Sequence, residues 1–511
     1  PRNLRVTKRT FSLRFYLILT LAYLTITLTA CGGESSSSES EPASFSAAQP
    51  TLSYNSTKRF DFTWTDVEGV DFYRVLENQD SSSGFIQVGA DISAGTESFS
   101  LSVPLYKRLN ARYILQACDA SQCLDSNEVS VTGNLTNSVG YIKANNPGSG
   151  DYFGSSVSLS GDGNTLAIGA WAEDSNAIGI NGSDLDNDAS TSGAVYIFER
   201  ENFVWTLQAF IKASNAEAGD WFGYALSLSN NGNALVVGAR LEDGAGRGID
   251  AIQTDNSASY SGAAYVFVRS GGAWSQQTYL KASNADAGDN FGKAVSISGD
   301  GSTIAVGAED ESSRASGING DESNNSWVNA GAVYIFSENG ASWQQQAYVK
   351  ASNTVTAGAK SFGEAVSLSN DGNTLAVGSS GDSSAATGIN GDETDTSASY
   401  SGAAFVFTRT GTTWSQQAYI KASNTEEQDD FGYQVSLSGD GSTLAVSAGL
   451  EDSASTGIDG DQTNNLSRSA GAVYTFKLTS NQWYQEAYIK ASNTDISDEF
   501  GSSISLNFNG N

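Results

Sequence analysis

Five long connections in this chain carry oxygen-bearing side chains at matching positions. Each is counted here from the Phe of the Phe-Gly pair that precedes it. Position 20 is acidic (Glu173, Glu242, Glu311, Asp382, Glu451) and position 28 is Asn or Asp (Asn181, Asp250, Asn319, Asn390, Asp459). Position 33 is again Asp or Asn (Asp186, Asp255, Asn324, Asp395, Asn464), and Asp321, Asp392 and Asp461 stand at position 30 of three units. Gly-Ile fills positions 26 and 27 in all five, and an Asp lies two before the Phe except where Lys360 replaces it. Oxygen donors along a Gly-containing loop suit calcium, a hard cation that takes about six to eight of them. The same residues also suit a packed loop, in which Ile plugs the connection onto its sheet while Asn and Asp turn the backbone through their own side chains. No Asp-x-Asp-x-Asp-Gly spacing decides between the two. Tyr260, Trp327 and Tyr400 in these connections are candidate ligand contacts or loop packing.

The elements that must position these residues recur. Phe-Gly occurs at Phe153, Phe222, Phe291, Phe362, Phe431 and Phe500, in steps of 69, 69, 71, 69 and 69 residues. A Gly follows at position 16 (Gly169, Gly238, Gly307, Gly378, with Ser447 the exception), another at 40 and a Trp at 52. Such a period denotes stacked or radial repeats, each too small to bury a core alone. The first unit reads as four strands, at Ser156 to Ser160, Thr165 to Ala170, Ala194 to Phe198 and Leu207 to Ser214. The first two are joined by Gly161-Asp-Gly-Asn164, a tight hairpin turn, and the last two by a polar loop ending at Trp205. In Thr165 to Ala170, Leu166 and Ile168 oppose Ala167 and Gly169, a large face against a small one, as sheets packed on both sides require. The fold class expected is all-β: a β-propeller of four-stranded blades, with five full repeats and a partial sixth, preceded by a β-sandwich. Tyr141-Ile-Lys-Ala144 reads as a fourth strand with no blade before it, able to close the ring. Six blades would need roughly 40 further residues and seven roughly 110.

Phe-Gly, Val-Ser-Leu-Ser, Thr-Leu-Ala-Ile-Gly-Ala and Gly193-Ala-Val-Tyr-Ile-Phe198 together resemble the FG-GAP repeat of integrin α-subunit propellers and their bacterial relatives, over residues 138–511. The resemblance implies a propeller that presents loops for binding. Two departures limit it. The Pro of the family's Gly-Ala-Pro is replaced by Trp171, Arg240 and Glu309, and the last two units read Gly378-Ser-Ser380 and Ser447-Ala-Gly449. The family's calcium loop between the first two strands is here a short turn with one Asp or Asn, so calcium is not carried over to that place.

Residues 1–30 read as an export signal: five basic residues precede an apolar run from Phe15 to Thr29, and Leu28-Thr-Ala-Cys31 resembles a lipobox. By that resemblance Cys31 carries lipid, and Gly32 after it favours the outer membrane of the cell envelope. Residues 31–45 are a Ser/Glu-rich tether. Residues 46–133 form one small all-β module, in which Phe60, Phe62 and Trp64 alternate onto one face; early Trp64 and late Tyr113 resemble a fibronectin type III domain. Cys118 and Cys123 are placed to form a disulfide in an oxidising compartment.

The net charge of −30, or −35 without the signal, opposes nucleic acid and anionic membrane surfaces as partners, which leaves the lipid as the sole membrane contact. Zero His removes the His-based triads and metal sites. Three function classes remain. The favoured one is a non-catalytic envelope lipoprotein that binds or adheres through propeller loops to an extracellular glycan or protein, with calcium the one cofactor the loops would take. The second is a glycan-processing hydrolase or lyase; Ser160 to Thr165 resembles the Asp-box of sialidases without its Gly spacing and Trp. The third is a purely structural protein. A hydrolase should break the repeat with unique carboxylates and an aromatic platform, and no single blade's loops do so.

Overall fold

The computed structural model describes residues 45–133, 135–202, 204–340, 342–354 and 360–510. The export segment, Cys31 and the tether up to residue 44 lie outside the described residues. Strands dominate; no helix among the described residues is long and apolar enough to cross a membrane.

Two sheets face each other at the N-terminal end. Thr51–Ser56, Arg59–Thr63 and Ser98–Ser102 make one. Ile86–Ser93, Phe72–Asn78, Arg112–Cys118 and Cys123–Asp125 make the other, with Val129–Ser130 also paired to Arg112–Cys118. Alternation in Arg59–Thr63 sends Phe60 and Phe62 inward, and Trp64 follows, its ring 5.4 Å from that of Tyr73. Tyr113 donates its hydroxyl to Glu77 Oε1 at 2.8 Å, and Arg108 Nε reaches the same oxygen at 2.6 Å. The buried Glu77 carboxylate is thereby paired rather than stranded. Cys118 and Cys123 stand opposite each other in the strand register and are bonded as a disulfide.

Five four-stranded antiparallel sheets follow, each in sequential order. In the first the strands are Ser156–Leu159, Thr165–Ala170, Ala194–Glu201 and Val204–Ile211. The outer hairpin is tighter than its sequence suggests. Asn202 takes a φ of 50°, which turns the chain early and places Trp205 inside the fourth strand rather than at the end of a loop. Tyr141 to Ala144 is not a strand: Ile142 packs on the first blade's core while Tyr141 is exposed, because the described residues bring no ladder partner beside it.

The first strands lie innermost, where one blade's first strand packs against the next. Their Ser side chains satisfy edge N–H groups that no ladder reaches. Ser158 Oγ accepts from Leu228 N at 3.0 Å, and Ser227, Ser296, Ser367 and Ser436 repeat the bond around the ring. At the outer edge the strand-four Trp of the second to fifth blades donates to a Gln of the preceding blade, as Trp274 Nε1 does to Gln208 Oε1 at 3.0 Å.

The position-16 glycines exist because the next blade's backbone occupies the space of a side chain. A Cβ on Gly307 would lie 1.9 Å from the Gly363 carbonyl oxygen, and one on Gly378 would lie 1.9 Å from that of Gly432. Blades also bridge directly, Gly262 to Phe291, Gly331 to Phe362 and Gly402 to Phe431. Each Phe then packs edge-on against the aromatics of its own third strand, Phe222 at 5.3 Å from Tyr265. At one end of the channel a chain of backbone bonds crosses the blades, Gly161 to Asn230, Gly299, Asn370 and Gly439. Gly and Asn alternate there because each Asn side chain fills the room a neighbouring Gly leaves.

Replacing Gly307 by Ala therefore forces two blades apart. The expected cost is about 3 kcal/mol or more, at the upper end of overpacking penalties, read as a lowered denaturation midpoint. An unchanged midpoint would contradict the packing described.

Candidate functional site

The position-20 carboxylates are buried, and each meets a buried lysine from the end of the fourth strand. Glu173 pairs with Lys212 at 2.8 Å, Glu242 with Lys281 at 2.9 Å, Glu311 with Lys350 at 2.6 Å and Glu451 with Lys490 at 2.6 Å. In the second blade Glu242 also accepts from Tyr279 Oη at 2.8 Å, from Gly244 N at 3.0 Å and from Asn215 Nδ2, which arrives from the preceding blade, at 3.0 Å. Lys281 donates further to Ser261 Oγ at 2.7 Å. The fourth blade inverts the charges: Lys360 Nζ and Lys421 Nζ share the shorter Asp382 at 3.0 and 3.5 Å. These lysines are the residues that sequence reasoning missed. Their signal was a cation at position 59 of every unit, inside an otherwise apolar strand.

Positions 27 and 28 dock the connection onto strand four. Ile180, Ile249, Ile318, Ile389 and Ile458 each bridge it in antiparallel sense. Asn181, Asp250, Asn319, Asn390 and Asp459 have φ of 51° to 55°. Their side-chain oxygens accept from the backbone N of Phe210, Tyr279, Tyr348, Tyr419 and Tyr488, each at 3.0 Å. Further out, Asp186 and Asp395 accept from Asn176 N and Ala385 N at 2.9 Å, while Asp255 takes Ala245 N on its carbonyl at 2.7 Å. Asp321, Asp392 and Asp461 cap Ser323, Thr394 and Thr463, bonds that hold all three carboxyls below the usual range. Among the described residues no three His, Cys, Asp or Glu side chains are grouped so that they could hold a metal ion. The packed-loop chemistry accounts for these contacts, in which backbone N–H groups, lysines and neighbouring side chains are the donors.

The aromatic loop residues divide. Tyr260 and Tyr400 are half exposed and hold the blade junction through their carbonyls, which accept from Asn290 N at 3.0 Å and Asp430 N at 3.1 Å. Trp327 packs within its own loop, with the Arg314 guanidinium 5.8 Å from the ring centre.

The Asp two before each Phe accepts from the backbone three residues earlier, as Asp289 does from Asp286 N at 2.9 Å. Burial pushes Asp220 and Asp289 up to about 7 and Asp429 up to about 8. Burial likewise lowers Lys421, to about 8.

Among the positions that vary from unit to unit, three meet at the other mouth of the channel. They are the residue before Phe (Tyr152, Trp221, Asn290, Ser361, Asp430, Glu499), the second after it (Ser155, Tyr224, Lys293, Glu364, Tyr433, Ser502), and position 18 (Trp171, Arg240, Glu309, Ser380, Gly449). Tyr152 stacks on Trp171 at 4.6 Å, Trp171 lies 4.3 Å from Trp221, and Trp221 stacks on Tyr224 at 5.9 Å. Arg240 lies 5.0 Å over Tyr224 and 5.7 Å over Trp221. Lys293 approaches Tyr224 at 5.9 Å. Both cations are tied to Glu309, Lys293 at 2.7 Å and Arg240 at 3.4 Å. Next around the rim, Glu364 accepts from Ser380 Oγ, and burial pushes it up to about 7. Trp171, Tyr224, Lys293, Glu364 and Tyr433 line a cavity of about 610 Å³ on the axis, within the size range of small-ligand sites. The sequence registered position 18 only as departures from a family pattern. That an aromatic platform forms across several blades, rather than in one blade's loops, required the ring.

Fold and rim together define a β-propeller assembled from a repeated four-stranded blade. Residues 137–198, 205–267, 274–336 and 414–476 match the FG-GAP repeat family, so the chain carries FG-GAP repeats. None of the curated proteins matches it. Among solved structures it is similar to a Ca2+-stabilised adhesin with which an Antarctic bacterium binds ice, at 11% identity, covering 88% of this chain and 92% of that one, with a TM-score of 0.15. The fn3 domain of human collagen α-1(XX) covers 19% of this chain and 92% of its own at 17% identity and a TM-score of 0.16. A β-1,2-glucanase from Parabacteroides distasonis matches at 23% identity and a TM-score of 0.14, over 18% of this chain and 13% of the glucanase. At these scores none of the three bears on function.

Two outcomes follow from the buried charges. Lys350→Met leaves Glu311 without its cation and should cost about 3 to 5 kcal/mol in denaturation, whereas adding Glu311→Leu should recover most of the loss. Equal stability of the single variant and the parent would refute the pairing. For pH, the folded state holds protons on Asp220, Asp289 and Asp429 that the unfolded chain has released above its ordinary carboxylate pKa, about 4. Stability from these groups is full below that value and falls as pH rises through about 7 to 8. The melting temperature should thus be higher at pH 5 than at pH 7.5, and Asp289→Asn should flatten the slope. A melting temperature that climbs over this interval would overturn the assignment.

Proposed function

We propose that this protein is a lipid-anchored component of a bacterial cell envelope, held by Cys31, and that its propeller is a non-catalytic binding module with its ligand at the mouth of the central channel. One observation carries the reading. Packing alone asks for the same residues in every blade, yet the second residue after Phe, which differs in kind from unit to unit, lines one cavity in all six units, and Trp171 joins it there. Function on a repeat scaffold is expected where the repeat is broken. The long connections, by contrast, bond to their own and the preceding blade, and those bonds explain them without calcium or multivalent loop contact.

The N-terminal sandwich serves in this reading as a fibronectin type III-like spacer, supported by its three-stranded sheet packed on a sheet built around Phe72–Asn78 and Arg112–Cys118, and by Trp64 and Tyr113 in its core. With the tether it sets the propeller away from the outer membrane. A glycan-cleaving reading asks for two carboxyl groups working across one bond. Among the residues lining the cavity Glu364 is the one carboxyl, and nearby Glu309 is neutralised by two cations.

The test presents purified protein to arrays of cell-surface glycans and proteins. Capture by the parent should drop by about tenfold or more in Trp171→Ala and Tyr224→Ala, and persist in Tyr260→Ala and Tyr400→Ala. Capture lost only in the latter pair would move the site to the long connections.

A further inference from the structure

The inference here concerns the chemistry of the ligand and rests on the reading of the channel mouth as the binding site. We propose that the cavity receives an uncharged saccharide, packed against Trp171 and Tyr433 and donating hydroxyl hydrogen bonds to Glu364.

The charges decide against ionic ligands. An acidic sugar or a phosphate would need a cation to spare, and Arg240 and Lys293 already face three carboxyls, both pairing with Glu309 while Asp310 lies in the field of the two and Glu364 in that of Lys293. A cationic ligand would seek aromatic faces, but Arg240 already lies over Trp221 and Tyr224, and Lys293 beside Tyr224, so two protein cations repel it from those rings. An apolar ligand would bury the Glu364 carboxyl and the lining serines without hydrogen bonds, which costs more than its own burial returns. What remains is a neutral molecule with apolar patches and many hydroxyl groups. A sugar ring meets this description, offering C–H groups to an aromatic face and hydroxyls around its edge.

The lining fits in detail. Trp171, Tyr224 and Tyr433 supply ring surface from three units, and Ser155, Ser503 and Gln434 place polar atoms between them. Among the described residues the Ser380 hydroxyl is the hydrogen-bond partner of Glu364, donating to Oε2, so the carboxyl retains capacity to accept from a ligand. Burial that holds this carboxyl up to about 7 also lets it donate when protonated.

The experiment is calorimetric titration of the whole protein at pH 7 with neutral gluco-, galacto-, manno- and N-acetylglucosamine oligomers, and with galacturonate oligomers as the charged counterpart. At least one neutral series should bind, with affinity reduced about tenfold or more by Trp171→Ala and by Glu364→Gln, and the galacturonates should not. Glu364→Gln keeps the shape of the side chain, so it tests the site even where Trp171→Ala fails to fold. Absence of binding by every neutral series, binding undiminished in both variants, or preference for galacturonate would overturn the proposal. If the arrays show capture that these variants abolish but that neutral oligomers do not compete, the saccharide assignment fails and the rim remains the site. If no capture depends on the rim, both fail.

Discussion

The architecture depends on one buried ion pair repeated in each blade. A lysine at the end of strand four and a carboxylate early in the long connection are both removed from water, and each is tolerable only because the other is present. The pair fixes where the connection begins its course over the blade. The Gly-Ile bridge and the Asn or Asp after it then fix where it docks. Between these two pins the connection keeps one length in all five units. Asn215 extends the tie into the preceding blade, so the same carboxylate joins neighbours as well as strands.

The fourth blade shows that the constraint is electrostatic and not tied to one residue set. Lys360 replaces the buried Asp found in the other blades, and the acidic partner is Asp382 where the others have Glu. Two ammonium groups then converge on one short carboxylate. The change of sign at one position is matched within the same pocket, and blade geometry survives it.

Much of the fold was legible because its determinants are local. Gly161-Asp-Gly-Asn164 announces a hairpin, and the opposition of Leu166 and Ile168 to Ala167 and Gly169 announces packing on both faces. The disulfide spans a five-residue separation and needs only a turn between its ends. The site was less legible because its determinants are distant. Glu242 looked like a free oxygen ligand for as long as Lys281, 39 residues away, was read as part of an apolar strand. Trp171, Arg240 and Glu309 looked like scattered departures from a motif. They become one surface only when successive blades bring position 18 of each unit to the same mouth.

The two ends of the channel show what this arrangement permits. At one end alternating Gly and Asn are locked by backbone bonds from blade to blade, and a side chain added at Gly299 would strike Asn230 and Asn370. That end has no freedom to vary. At the other end side chains beside the Phe-Gly pairs contact one another across blades. Substitution there costs the scaffold little, because the position-16 glycines, the serine bonds between inner strands and the buried lysine pairs all lie deeper. A repeat protein can thus hold five nearly identical blades and still build one asymmetric rim, with most of its aromatic rings over the first two units and its charged groups running from Arg240 to Glu364. The asymmetry is the part of this molecule that stability does not explain.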